Sequence, residues 1–355
     1  MKKLIALLMA LVMVFSLCAC GAKEEAPAAA PAAPAEAPAE APAEEAAPAE
    51  ASVVWKISTV DNEGSDYMNA FTAMWERIEK ETNGYIDVEM YYANSLGDEP
   101  SILEGIQLGT IQGAQMATSV MANYSDYFYV NDLPFLFENP EHCEAFMQTD
   151  AAKKMSESLE EDGFYVWYWG ILGYKQPNLN KACITSLEDC KDLKWRVMDT
   201  AVQVKTVESL GANPVVIAYS EVYSALGNNT IDAWMNDAVA FKNLSTPEVA
   251  PYFTQIPLFT SMQTCVVSKA AFDALPAEYQ EIVKNVIMEE EPEVIRVSWN
   301  QNSAIEESLK AEGFKEYFVV EDVAPFFEAV QPVYQWMEET YPATAEIIEA
   351  VNALR

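Results

Sequence analysis

The chain has 355 residues and a formal net charge of −34. A chain this acidic is not built to coat nucleic acid or to lie on an anionic membrane surface. One histidine, and no cysteine pair in a CxxC or Cys/His pattern, leave no metal-binding motif.

The first residues read as an export signal. Lys2 and Lys3 supply the positive start, and an apolar run from Leu4 to about Leu17 follows, too short to span a membrane well. The run ends in "LCACG", which looks like a lipobox and makes Cys20 the expected lipidation site after removal of residues 1–19. The plainer alternative is an ordinary cleaved signal. Residues 20–51 are built from Ala, Pro and Glu without aromatic or branched apolar residues, so they cannot bury enough surface to fold. At about 3.1 Å per residue this tether reaches up to ~90 Å. The chain is therefore expected to be exported and lipid-anchored on the outer face of the cell membrane. Lys2 and Lys3 add two charges, and seven glutamates against Lys23 subtract six, which leaves −30 on the folded remainder.

From residue 52 onward, strand and helix patterns alternate. "VVWKIST" (53–59) is an apolar strand. A helix follows, with Ser65 as N-cap, Phe71, Met74, Trp75 and Ile78 on one face, and Gly84 closing it. "YIDVEMYYA" (85–93) alternates as a strand, "EPSILEGIQLGT" is a short helix and "GAQMATS" a third strand, the rhythm of a parallel α/β unit. After a loop around "NDLPFLFENPEHCEAF", a helix at about 150–162 leads to two strands, "FYVWYWG" and "GYKQPNLN". A second α/β unit comprises the strand "LKWRVM", the helix "AVQVKTVESLG", the strand "NPVVIAY", the helix "SEVYSALGNN" and the strand "IDAWMND". "QTCVVSKAAFDAL" reads as a strand turning into helix. A long helix from Glu278 to about Glu312 is expected to be interrupted at Pro292, and the last stretch to be helical with breaks at its prolines. Cys183 and Cys190 are close enough in sequence for a disulfide, or stand as two small, partly buried thiols.

Arg196, in "DLKWRVMDT", is a permanent cation inside an apolar strand of an acidic protein. From the strand alone the favoured reading is an internal ion pair with Asp192 or Asp199. The functional reading is an anchor for an external anion, because a guanidinium matches a carboxylate with two hydrogen bonds.

The surrounding stretch, with Asp192-Leu193, Lys194, Arg196-Val197, Gly211-Ala212-Asn213-Pro214, Ser220-Glu221-Val222-Tyr223, Ala225-Leu226, Asp232 and Asn236, resembles the substrate-binding proteins of tripartite ATP-independent periplasmic (TRAP) transporters. "ETNGYIDVEMYYANSLGDE", "LGTIQGAQMATS", "DLPFLF" and "LPAEYQEIV" extend the resemblance over essentially the whole folded part. It implies an α/β, two-lobed, hinged periplasmic-binding-protein-like fold with a long helix bridging both lobes. Residues 52–172 with about 261–300 would form one lobe, and 173–260 with about 301–355 the other. It also implies a non-enzymatic role: closing over an organic acid and delivering it to the membrane subunits of an ion-gradient-driven TRAP permease, with no cofactor. The rivals are a binding lipoprotein of an ATP-driven importer and a carboxylate-using hydrolase. The latter is disfavoured because the chain lacks a triad, a phosphate loop or a metal cluster.

Residue by residue, the resemblance puts Arg196 at the family's carboxylate-binding arginine and Asn236 at its ligand-facing asparagine. Lys175 stands where many members have a second arginine, a point charge in place of a fork, or else a solvent-facing lysine. Tyr219 and Glu99 fall at ligand-proximal places, Thr118 is a weaker candidate from the opposite lobe, and Trp234 is either a pocket wall or core packing. Methionine at position 235 replaces a common glutamate, which points away from sugar acids.

Overall fold

The computed structural model describes residues 53–355. The signal peptide, Cys20 and the tether lie outside the described residues. Among the described residues no helix is long and apolar enough to cross a membrane.

The first α/β unit follows the sequence closely. β1 (Val53–Thr59) leads to α1 (Asp66–Glu81), where the Ser65 side chain accepts the Met68 N–H. Phe71, Met74, Trp75 and Ile78 are buried, and α1 ends where the Gly84 N–H reaches back to the Glu79 carbonyl, with Gly84 at φ +75°. β2 (Ile86–Tyr91) and β3 (Gly113–Ala117), separated by α2 (Glu99–Gln107), both pair parallel to β1. α3 (Pro140–Met147) occupies the end of the loop stretch, where "NPEHCEAF" around His142 has the look of a helix start; the Asn139 side chain accepts the His142 N–H, and α4 (Asp150–Glu157) follows.

The two strands expected at 164–180 are arranged differently. β4 is only Phe164–Tyr165, and β5 is one strand over Trp169–Leu179. β5 is continuous because its first part pairs antiparallel with β10 (Phe259–Ser268) and its last four residues pair with β8 (Ala233–Asn236). In the second unit, β6 (Lys194–Val197), α5 (Ala201–Ser209), β7 (Asn213–Val216) and α6 (Val222–Gly227) precede β8, and β6 runs parallel to both β7 and β8. The strand order is β2-β1-β3-β10-β5-β8-β6-β7. The long antiparallel β10–β5 pair thus joins two parallel units, each with helices against it.

α7 (Ala238–Asn243), β9 (Tyr252–Gln255), α8 (Lys269–Asp273), α9 (Ala277–Ser308), β11 (Glu316–Val319), α10 (Ala324–Thr340) and α11 (Ala345–Asn352) complete the chain. α9 packs on α1, β5 and α7, and so runs along both units. Pro292 does not interrupt it, and Pro332 does not break α10. Each ring frees one carbonyl four residues earlier, at Met288 and Glu328. Both residues are exposed, so water can take the place of the missing N–H. Cys143, Cys183, Cys190 and Cys265 are all buried free thiols, so the Cys183–Cys190 disulfide is absent. The Cys183 sulfur instead faces the Phe253 carbonyl at 3.3 Å, and Cys190 is packed in the core.

Candidate functional site

In α/β sheets, ligands bind beyond the carboxyl ends of parallel strands, where side chains of successive loops converge. A cavity of about 50 Å³ lies at that place here. Val60 and Asp61 follow β1, Ala117 ends β3, Arg196 sits in β6, Tyr219 follows β7, Asn236 ends β8 and Asp237 caps α7. Lys175 and Leu172 of β5, Ser261 and Gln263 of β10, Tyr67 of α1 and Glu99 of α2 close the walls. A second pocket of about 170 Å³ shares Val60, Glu99, Arg196, Met198 and Tyr219 with it and is also lined by Asn94, Asn123 and Ser220.

Arg196 is only 4% exposed. Its Nε donates to the Ile217 carbonyl at 2.9 Å, which fixes the guanidinium. Its two Nη groups have no hydrogen-bond or ion-pair partner among the described residues; neither Asp192 nor Asp199 pairs with it. Burial pulls it from its ordinary 12.5 to about 10, opposed by Glu99 and Tyr219, so it stays charged at neutral pH. A buried charged fork without a protein anion is costly unless a ligand supplies one.

Lys175 is 5% exposed, not solvent-facing. Its Nζ lies 3.1 Å from the Ser119 Oγ and 3.5 Å from Asp132 Oδ1. Asp132 also accepts from Ser119, Gln203 and Thr200, so the lysine is built into a hydrogen-bonded network and its charge is balanced locally. Glu99 accepts the Ala117 N–H at 2.8 Å, and burial raises its carboxyl. Asn236 uses Oδ1 to accept the Asp237 N–H at 3.0 Å, which leaves its Nδ2 free to donate. The Tyr219 hydroxyl is buried with no partner, and burial raises it well above its ordinary value.

Two expected ligand residues lie elsewhere. Trp234 does not line the cavity: it is fully buried, donates Nε1 to Asn178 Oδ1 at 3.0 Å, and packs edge-on against Phe241 with Tyr219 beyond it. Strand alternation turns Met235 into the opposite core, so neither is a pocket wall. Thr118 begins a 3-10 turn after β3, is 1% exposed, and points toward the Met262 carbonyl.

Two of the cavity residues that sequence reading missed are acidic, Asp61 and Asp237. Asp61 is buried, with Oδ1 accepting Asn243 Nδ2 at 3.0 Å. Burial first, then the charges of Asp237 and Glu99, push it from 3.8 to about 7. Asp237 caps α7 by accepting the Ala240 N–H and takes the Ser261 hydroxyl at 2.5 Å; burial raises it as well. The available signal was positional: Asp61 follows the first parallel strand, and Asp237 stands between a strand end and a helix start.

A family model, bacterial extracellular solute-binding protein family 7, matches residues 57–340. The chain belongs to this family. Among relatives of this family 7 protein, the C4-dicarboxylate-binding periplasmic protein DctP of Rhodobacter capsulatus is 29% identical over 284 residues, covering 78% of this chain and 84% of that protein. Two crystal structures share its fold. One is a TRAP periplasmic solute-binding protein from a Sulfitobacter species with bound β-D-galacturonate (TM-score 0.80, 23% identity, 84% of this chain and 99% of that one). The other is a sugar-acid-binding protein from Advenella mimigardefordensis in complex with galactonate (TM-score 0.82, 21% identity, 86% and 100%). The mixed α/β sheet and the long α9 match this two-lobed architecture. All three are binding proteins of organic acids or sugar acids.

Proposed function

We propose that the protein captures an organic acid outside the cytoplasm and delivers it to the membrane subunits of a TRAP permease. The observation that carries this reading is Arg196: a buried, charged fork that lines a cavity and whose Nη groups have no partner among the described residues. A ligand carboxylate would complete it with charge-assisted hydrogen bonds worth roughly 1.5–3 kcal/mol each. Asn236 Nδ2 and the partnerless Tyr219 hydroxyl would contribute further polar contacts.

In this proposal the two lobes are residues 52–172 with about 261–300 and residues 173–260 with about 301–355. The open form would present Arg196, and docking of the acid would bring Glu99 and Asp61 across it, shifting the population to the closed form. Lipidation at Cys20 and the Ala/Pro/Glu tether would hold the protein at the outer face of the membrane, within reach of the permease. Thermal-shift screening of the purified protein against an organic-acid library tests the binding role, because a ligand of the folded state raises the melting temperature. Stabilisation by at least one carboxylate, lost in Arg196→Ala, is expected. Equal stabilisation of the variant would overturn the proposal.

A further inference from the structure

Two buried carboxyls, Asp61 and Asp237, line the same cavity as Arg196 and form no salt bridge among the described residues. Asp61 is 9% exposed; one of its oxygens takes the Asn243 amide and the other has no partner among the described residues. It lines the cavity and forms no salt bridge there. Asp237 is held by Ser261 and by the start of α7, again with no cation at bonding distance. The other cavity cation, Lys175, is committed to Asp132. The cavity therefore holds groups of both signs. A guanidinium with free Nη groups comes from β6, with Glu99 and the Tyr219 hydroxyl near it. Two carboxyls without a salt-bridge partner stand where β1 and β8 end, and they act on the same hydroxyl.

The three main kinds of organic acid meet this arrangement differently. A dicarboxylate would satisfy Arg196 but bring a second negative charge beside Asp61 and Asp237, which they could meet only by holding a proton. A hydroxy acid would hydrogen-bond Asp61 but offer no cation to hold it ionised in a buried site. A molecule with a carboxylate at one end and a protonated amine at the other satisfies both ends at once. We propose that the ligand is zwitterionic, an amino-acid-type carboxylate whose ammonium group binds Asp61 while its carboxylate binds Arg196. This rests on the carboxylate reading of Arg196 given above. The raised titration of Asp61, to about 7, agrees with it: empty, the site holds a carboxylate that burial and its acidic neighbours make hard to ionise, and an ammonium group removes that difficulty.

The test is calorimetric titration of the full chain with matched acids: alanine and lactate; β-alanine and 3-hydroxypropionate; 4-aminobutyrate, 4-hydroxybutyrate and succinate; the larger amino acids; and D-glucuronate and D-galacturonate. The tightest ligand is expected to be an amine, with its hydroxy counterpart and the dicarboxylate roughly 10- to 100-fold weaker, the range of a charge-assisted hydrogen bond. Asp61→Asn preserves the shape and should bring the matched pair within about 3-fold, again on the charge-assisted scale. A hydroxy acid, uronate or dicarboxylate that binds as tightly as the best amine overturns the inference while leaving the carboxylate role intact. So does an amine preference unchanged in Asp61→Asn. Failure of every carboxylate in the panel to bind overturns both.

Discussion

Asp61→Asn removes a buried charge at the cavity while keeping an oxygen to accept from Asn243. The folded protein holds this carboxyl at about 7 against an ordinary 3.8, with burial as the leading cause. A carboxyl raised in the folded state contributes its full stability below the unfolded value and loses that contribution as pH rises through the folded one. The gap between 3.8 and about 7 corresponds to roughly 4 kcal/mol, lost progressively between about pH 4 and pH 7 and fully absent above. Asp61→Asn should therefore match the wild-type protein near pH 4 and exceed it by up to roughly 4 kcal/mol at pH 8. That is about 8 °C in melting temperature for a domain of this size. Differential scanning calorimetry without ligand at pH 4, 6 and 8 reads the effect. Parallel stability curves for the two proteins, or a less stable variant at pH 8, would refute this account of the site.

Asn302 of α9 accepts both the Ala238 and Val239 N–H groups at the start of α7, which carries Val239 and Ala240 of the cavity wall. Asn302→Ala should cost about 1–3 kcal/mol in thermal unfolding and weaken ligand binding as well. Trp234→Phe removes the hydrogen bond to Asn178 but leaves the cavity lining unchanged. Stability should fall by about 1–3 kcal/mol while affinity stays within roughly 3-fold; a tenfold loss of affinity would mean that Trp234 meets the ligand. Glu291 of α9 is buried, takes the Cys265 N–H at 2.8 Å on one oxygen, and has no partner on the other; burial raises it well above its ordinary value. Glu291→Gln should gain melting temperature over the wild type as pH rises, and match it near pH 4.

The parallel units were legible because their strands and amphipathic helices obey local periodicities, as in the α1 face of Phe71, Met74, Trp75 and Ile78. β5 was not, because its continuity over 11 residues depends on partners far away in sequence, β10 and β8. The prolines misled for a related reason: the sequence shows the missing N–H at Pro292, not the solvent beside Met288. At the site, Arg196, Lys175, Tyr219, Glu99 and Asn236, named from the sequence, line one cavity. Trp234 and Thr118 fall away from it because strand alternation and a turn aim them into the core. Asp61 and Asp237 stayed hidden among 55 acidic residues. Their places at a strand end and a helix start were the signal available, and the structure adds that they line the same cavity as Arg196.

Whether Arg196 anchors a carboxylate is the central claim. Isothermal titration of the wild type, Arg196→Lys and Arg196→Ala with the best-stabilising acid from the library tests it directly. The fork geometry predicts a large loss of affinity in Arg196→Ala, at least roughly 10-fold, and only partial recovery in Arg196→Lys, which keeps the charge but not the two parallel donors. Unchanged affinity in Arg196→Ala, with the variant still folded by circular dichroism, would contradict the account.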